Sequence, residues 1–109
     1  MSYRVADIAA AARKNRHYRR VLFTNGDTQI VLMSIEPSES IPLEVHDGAQ
    51  WFFTVAGRGR VTYGHRRSKQ LTPGSAVLVS SGMPHVVKVA RGARDPLQLY
   101  TIYCPPQHA

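Results

Sequence analysis

The sequence predicts an all-β domain, a sandwich or barrel preceded by one short helix. Three observations predict it. Beyond residue 20, short apolar runs recur at regular spacing; turn residues separate them; and no helical period intervenes between them.

Before those runs, "RVADIAAAARK" (residues 4 to 14) places Val5, Ile8, Ala9 and Ala12 on one helical face, so a short amphipathic helix is expected there. "YRRVLFT" then ends at Asn25-Gly26-Asp27, a tight-turn signal, and "TQIVLMSIE" returns as a second strand ending at Pro37. "IPLEVH", "QWFFTVA", "RVTYG", "SAVLVS", "VVKVA" and "LQLYTIY" continue the series. Between them lie "DGA", "GRG", "HRRSKQLTPG", "SGMPH" and "RGARDP". The tail "CPPQHA" holds two prolines and is expected to pack over an outer edge or fray. Residues 1–20 read as a helix and basic segment, residues 21–109 as the β-barrel domain, one domain overall.

Composition narrows the function. The 109 residues are 43% hydrophobic and 19% charged, enough for one modest core. No apolar run is long enough to span a membrane and no secretory leader is recognised, so a cytoplasmic location is expected. The single cysteine, Cys104, has no partner for an intrachain disulfide. The net charge of +7 is concentrated in residues 1 to 20, where Arg4, Arg13, Lys14, Arg16, Arg19 and Arg20 face one acid, Asp7. A solvated basic face is the simpler reading of that segment. Neither a helix-turn-helix pattern nor an aromatic-basic RNA-binding pattern accompanies it, and nucleic acid is not expected as a partner.

Strand parity points to a lumen. In "IPLEVH" Glu44 and His46 share a face, with Ile41, Leu43 and Val45 on the other. In "QWFFTVA" Gln50, Phe52 and Thr54 share one face, with Trp51, Phe53 and Val55 opposite. Both faces of that strand need cover, which favours a barrel whose interior carries some polar groups and whose outer face is covered by a sheet, the helix or a second subunit.

"EVHDGAQWFFTVAG" resembles the first motif of the cupin family, glycine, His-x-His, three or four residues, Glu, six residues, Gly. Glu44 stands at the first His position, His46 at the second, Gln50 at the Glu position and Gly57 at the closing glycine, with Ser38 in place of the opening one. "GSAVLVSSGMPHVVKV" is similar to the second motif: Gly74, Gly82 and His85 match, while Ser80 replaces the Pro and Val89 the Asn. With "YRRVLFTN", "QIVLMSIEPSESIPLEVHD" and "LYTIYCPPQH", the resemblance covers residues 16 to 108 and extends to small single-domain cupins called mannose-6-phosphate-isomerase-like.

The resemblance implies a single double-stranded β-helix (jelly-roll) barrel and a metal site of Glu44, His46, Gln50 and His85. Exchanging His for Glu at 44 and Glu for Gln at 50 preserves one negative charge. Two imidazoles and a carboxylate suit Fe(II), Mn, Co, Ni or Zn and leave positions open for water or substrate, with the Gln50 amide a weaker ligand. Met33, Phe52, Thr54, Tyr63 and Tyr100 are candidate pocket residues, and Asp47 a candidate partner for the second nitrogen of His46. His17, His65 and His108 read as solvated, and Trp51, Phe53, Tyr100 and Tyr103 as packing. Arg58 and Arg60, in a turn where similar cupins carry acids, would favour anionic substrates if they rim the mouth.

The expected function is a metal-dependent enzyme acting on a small polar molecule such as a sugar, carboxylate or phosphate, by isomerisation or oxygenation. The alternative is a non-catalytic metal- or ligand-binding module. Catalytic residues beyond the ligands are unassigned, since nothing in the spacing of Tyr63 or Tyr100 demands acid-base work. A homodimer is expected, covering Leu43, Val45, Trp51 and Phe53.

Overall fold

The computed structural model describes residues 6–108. Helix α1 (Ile8–Lys14) is capped by Asp7, whose carboxylate accepts from the Ala10 amide at 3.0 Å. Val5, expected on the apolar face, lies outside the described residues. Ala12 is fully buried, and the helix packs on strands of one sheet. Its last carbonyls would be orphaned there; the buried Gln98 amide donates to the Arg13 and Asn15 oxygens at 2.9 and 3.0 Å.

Among the described residues nine strands follow: β1 (Arg20–Thr24), β2 (Gln29–Ile35), β3 (Ser40–Glu44), β4 (Ala49–Ala56), β5 (Gly59–Tyr63), β6 (Arg67–Leu71), β7 (Ala76–Val79), β8 (His85–Val89) and β9 (Leu97–Cys104). They form two antiparallel sheets in the orders β1-β2-β9-β4-β7 and β3-β8-β5-β6. In the β1–β2 turn, the Asn25 side-chain oxygen accepts from the amides of Asp27 and Thr28, which is why that tripeptide reverses the chain.

The inner faces close around Val31, Met33, Ile35, Ile41, Phe52, Val61, Leu71, Val79, Val87, Leu97, Leu99 and Tyr103. Strand β4 follows its expected parity: Gln50, Phe52 and Thr54 are buried, while Trp51 stands 39% exposed on the outer face. Gly57 ends β4 at φ 80°, and a Cβ there would run into the Pro96 carbonyl, so no other residue fits without moving the backbone.

Two sequence expectations are corrected. "HRRSKQLTPG" is not only a connection, because Arg67–Leu71 forms β6. It pairs only with β5, so four of its five residues are exposed and polar, and only Leu71 reaches the core. In β3, Ile41 does not oppose Glu44. The pairing with β8 shifts between Ile41 and Glu44, and this irregularity lets Ile41 enter the core at 2% exposure while Glu44 still turns inward.

Candidate metal centre

The site lies at one end of the space between the sheets. Glu44 ends β3, His46 follows in the loop to β4, and His85 opens β8, directly across from Glu44. Each offers one ligand atom, and these atoms lie within 4.8 Å of one another. His46 Nε2 meets a Glu44 carboxylate oxygen at 2.6 Å, and the His46 and His85 rings are 5.6 Å apart.

His85 is held for this geometry. Its Nδ1 lies 3.0 Å from the Met83 carbonyl; a carbonyl can only accept, so Nδ1 carries the proton and Nε2 is left as a lone pair. That Nε2 is buried without a hydrogen-bond partner among the described residues, and burial holds the imidazole below its usual pKa. Gln50, 1% exposed, likewise has an unpartnered buried Oε1. It lies two residues before Phe52, whose ring edge meets His85 at 5.6 Å. Neutral imidazole, carboxylate and amide oxygen are the donors a divalent transition ion takes, and two of them lack protein partners among the described residues. The residues present therefore fit such an ion.

Of the candidate pocket residues, Met33, Phe52 and Thr54 are buried on inner faces, and Thr54 Oγ1 is unpartnered among the described residues. Tyr63 pairs with His85 across β5 and β8 and is half-buried against the core. Tyr100 is a correction: it stacks on Phe53 at 4.8 Å on the outer face, where the helix also packs. Strand β9 instead sends Tyr103 inward, three residues later and so on the opposite face, with its ring 5.3 Å from His46. Burial, reinforced by Glu44, pushes the Tyr103 hydroxyl up to about 12, so it stays protonated.

Arg58 and Arg60 do not rim this site. Residue 59 pairs with Val89 whereas Tyr63 pairs with His85, which puts the arginines about 13 Å away along the strand, at the other end. There, with Lys88 and Arg91, they line a surface cleft of about 540 Å³.

Sequence reasoning missed two groups. Arg19 donates to Glu44 at 3.2 Å, with its guanidinium carbon 5.6 Å from the centre of the Tyr18 ring, which is itself tied by its hydroxyl to the Ser40 carbonyl. His108 is not a solvated tail residue, and the tail does not lie along an outer edge. Its ring packs 5.0 Å from Tyr103 and 6.0 Å from His46, and its Nε2 is buried without a partner among the described residues. Gln29 clamps the tail: its side-chain oxygen accepts from the Gln107 and His108 amides, and its nitrogen donates to the His108 carbonyl at 2.7 Å. Gln107 reaches the Asp47 backbone oxygen at 2.8 Å, and the Asp47 side chain is not seen orienting His46. His17 and His65 are exposed, as expected.

A two-sheet barrel with a His/Glu cluster at one end of its lumen defines a class of small β-barrel proteins with a possible metal site. Residues 31–103 match the family described as cupin domain, and the chain belongs to that family. It is 34% identical over 110 residues to the uncharacterized protein YrkC of Bacillus subtilis and 34% identical over 107 residues to the uncharacterized protein L612 of Acanthamoeba polyphaga mimivirus. Each alignment covers 95% of this chain but only 58% and 66% of those relatives, so the chain spans about three-fifths of their length. The crystal structure of BH2720 from Bacillus halodurans is similar over 96% of this chain and 83% of that one, with a TM-score of 0.90 and 37% identity. KdgF from Halomonas, at 16% identity and TM-score 0.73, shares the fold over 82% of this chain and 80% of that chain.

Proposed function

We propose that the protein holds a divalent transition metal through Glu44, His46 and His85, with Gln50 as a weaker fourth ligand, and acts on a small polar molecule beside it. The observation that carries this reading is the pair of buried, unpartnered acceptors, His85 Nε2 and Gln50 Oε1, at the end where Glu44 and His46 meet. Bound there, the ion would polarise a carbonyl or activate water or dioxygen. The chain's own residues hold it and keep the site dry: Phe52 and Tyr103 wall it with apolar surface, and the neutral Tyr103 hydroxyl adds no charge. The isomerase or oxygenase reaction expected from the sequence, and kinship with the mannose-6-phosphate-isomerase-like cupins, stand as proposals supported by the motif residues and the "LYTIYCPPQH" end.

Elemental mass spectrometry on protein prepared without chelator tests the ion. About one transition metal per chain is expected, and a His46→Ala, His85→Ala double variant that keeps its circular dichroism should lose it. Equal metal in both would remove the site. A non-catalytic binding module is the second reading, favoured by the ion pair of Glu44 with Arg19 and its contact with His46 at 2.6 Å, which satisfy the carboxylate without an ion.

We further propose a cytoplasmic homodimer. Register aligns Leu78, Trp51, Ile102 and Ile30 in one apolar row across β7, β4, β9 and β2, with Leu78 49% and Trp51 39% exposed, and a second copy would cover it. Trp51→Glu should convert a dimer to a monomer by light scattering at micromolar concentration; an unchanged mass would place the interface elsewhere, and a monomeric wild type would remove the dimer. No helix among the described residues is long and apolar enough to cross a membrane.

A further inference from the structure

Arg19 and His108 lie beside the cluster without belonging to it. The three ligand atoms within 4.8 Å of one another come from Glu44, His46 and His85. Arg19 contacts Glu44, and His108 packs on His46 and Tyr103, near enough to Arg19 that, after burial, the guanidinium charge helps to hold the imidazole below its usual pKa. Neither is a chance visitor. Arg19 is steadied by the Tyr18 ring and Glu44, and the backbone of His108 is fixed by Gln29, a fully buried side chain whose three hydrogen bonds all go to the tail. Ordering a chain segment this tightly costs backbone entropy, and here it brings an imidazole whose buried Nε2 has no partner among the described residues.

The charges show what such a pair is suited to hold. Without an ion, the charges of Glu44 and Arg19 cancel; a divalent cation held by neutral imidazoles would bring the total to two positive charges. The ion would also draw on the carboxylate that Arg19 now contacts, leaving a positioned guanidinium short of negative charge. A neutral ligand would leave that excess uncompensated in a partly buried site, whereas an anionic one offsets it and accepts from both donors.

We propose that the molecule bound at this site carries an anionic group such as a carboxylate, and that Arg19 and the His108 imidazole, as its Nε2–H tautomer, are the protein groups that hold it. The inference rests on the metal reading above. It assigns the basic segment a role through Arg19 and gives the returning tail one through His108.

Cobalt(II)-loaded protein, titrated with acetate and separately with neutral acetamide at one fixed near-neutral pH, provides the test through the visible absorption of the ion. Acetate should shift the spectrum at concentrations where acetamide does not. Arg19→Gln and His108→Ala should each weaken acetate by about tenfold or more, the loss of one charge-assisted hydrogen bond. Arg19→Gln should at the same time strengthen cobalt binding by about two- to fivefold, because Glu44 is released from a partly exposed ion pair. His108→Ala should leave cobalt affinity unchanged, and Arg19→Lys should recover part of the acetate affinity.

Opposite changes in metal and anion affinity from one substitution are not what a merely structural residue produces. Cobalt bound normally with acetate affinity unaltered in both variants would overturn this inference and leave the metal reading standing, as would acetamide binding as well as acetate. Cobalt affinity lost in His108→Ala would overturn it by making that residue a metal ligand. A wild type that takes up no cobalt would overturn the metal reading itself, and this inference with it.

Discussion

The two ends of the lumen share strands β2 and β9 and do opposite things. Toward the Arg58 end, β2, β9, β5 and β6 contribute Ile35, Leu97, Leu99, Val61 and Leu71, all of them fully buried. Toward the other end the same or neighbouring strands contribute Gln29, Tyr103, Gln50, Glu44 and His85, and two of their polar atoms, Gln50 Oε1 and His85 Nε2, are buried without partners among the described residues. An aliphatic end closes on itself through packing. A polar end is stable only as far as its groups find partners, so its residues are spent on binding at the expense of stability.

The largest effect of that difference is expected at the aliphatic end. Leu99 is fully buried between Met33 and Thr54 in register, and Leu99→Ala removes packing that the closed lumen cannot readily refill. A loss of about 2–5 kcal/mol is expected, read by urea denaturation of the metal-free protein. Because Leu99 lies four residues along β9 from Tyr103, about 13 Å from the level of the site, metal per folded chain should not change. A loss below about 1 kcal/mol would show that the aliphatic end is looser than its burial indicates.

The ends were also unequally legible in the sequence. "QWFFTVA" announces its parity because its two faces differ, and Glu44, His46, Gln50 and His85 stand at motif spacings that survive substitution at two positions. "LQLYTIY" hides its phase: α1 covers part of the outer side of β9, so both faces are apolar, and Tyr100 and Tyr103 could not be ranked until the register was seen. The irregularity that turns Ile41 inward is a product of pairing with β8, which strict alternation within β3 cannot express. Strand β6 is polar because it is an edge, and polarity there reads as loop. Arg19 and His108 reach the site over 25 and, through Gln29, 79 residues of chain separation. One signal for the tail was present: Gln29 opens an otherwise apolar run, and a buried amide needs partners from somewhere.

A smaller effect should come from making the polar end resemble the aliphatic one. Gln50→Leu keeps nearly the same volume and removes an amide whose oxygen is buried without a partner among the described residues. An unsatisfied buried acceptor costs about 1–3 kcal/mol, partly offset here by whatever the amide nitrogen gains, so the metal-free variant should be more stable by about 1 kcal/mol. The sign should reverse on loading: with a divalent ion added, the wild type should gain more thermal stability than the variant, because stabilisation by a ligand grows with its affinity. Parallel thermal melts with and without the ion check both halves. A variant destabilised in both conditions would mean that Gln50 serves the fold and not the ion. A variant stabilised in both, by the same amount, would mean that the amide contributes nothing to metal binding and that Glu44, His46 and His85 hold the ion alone.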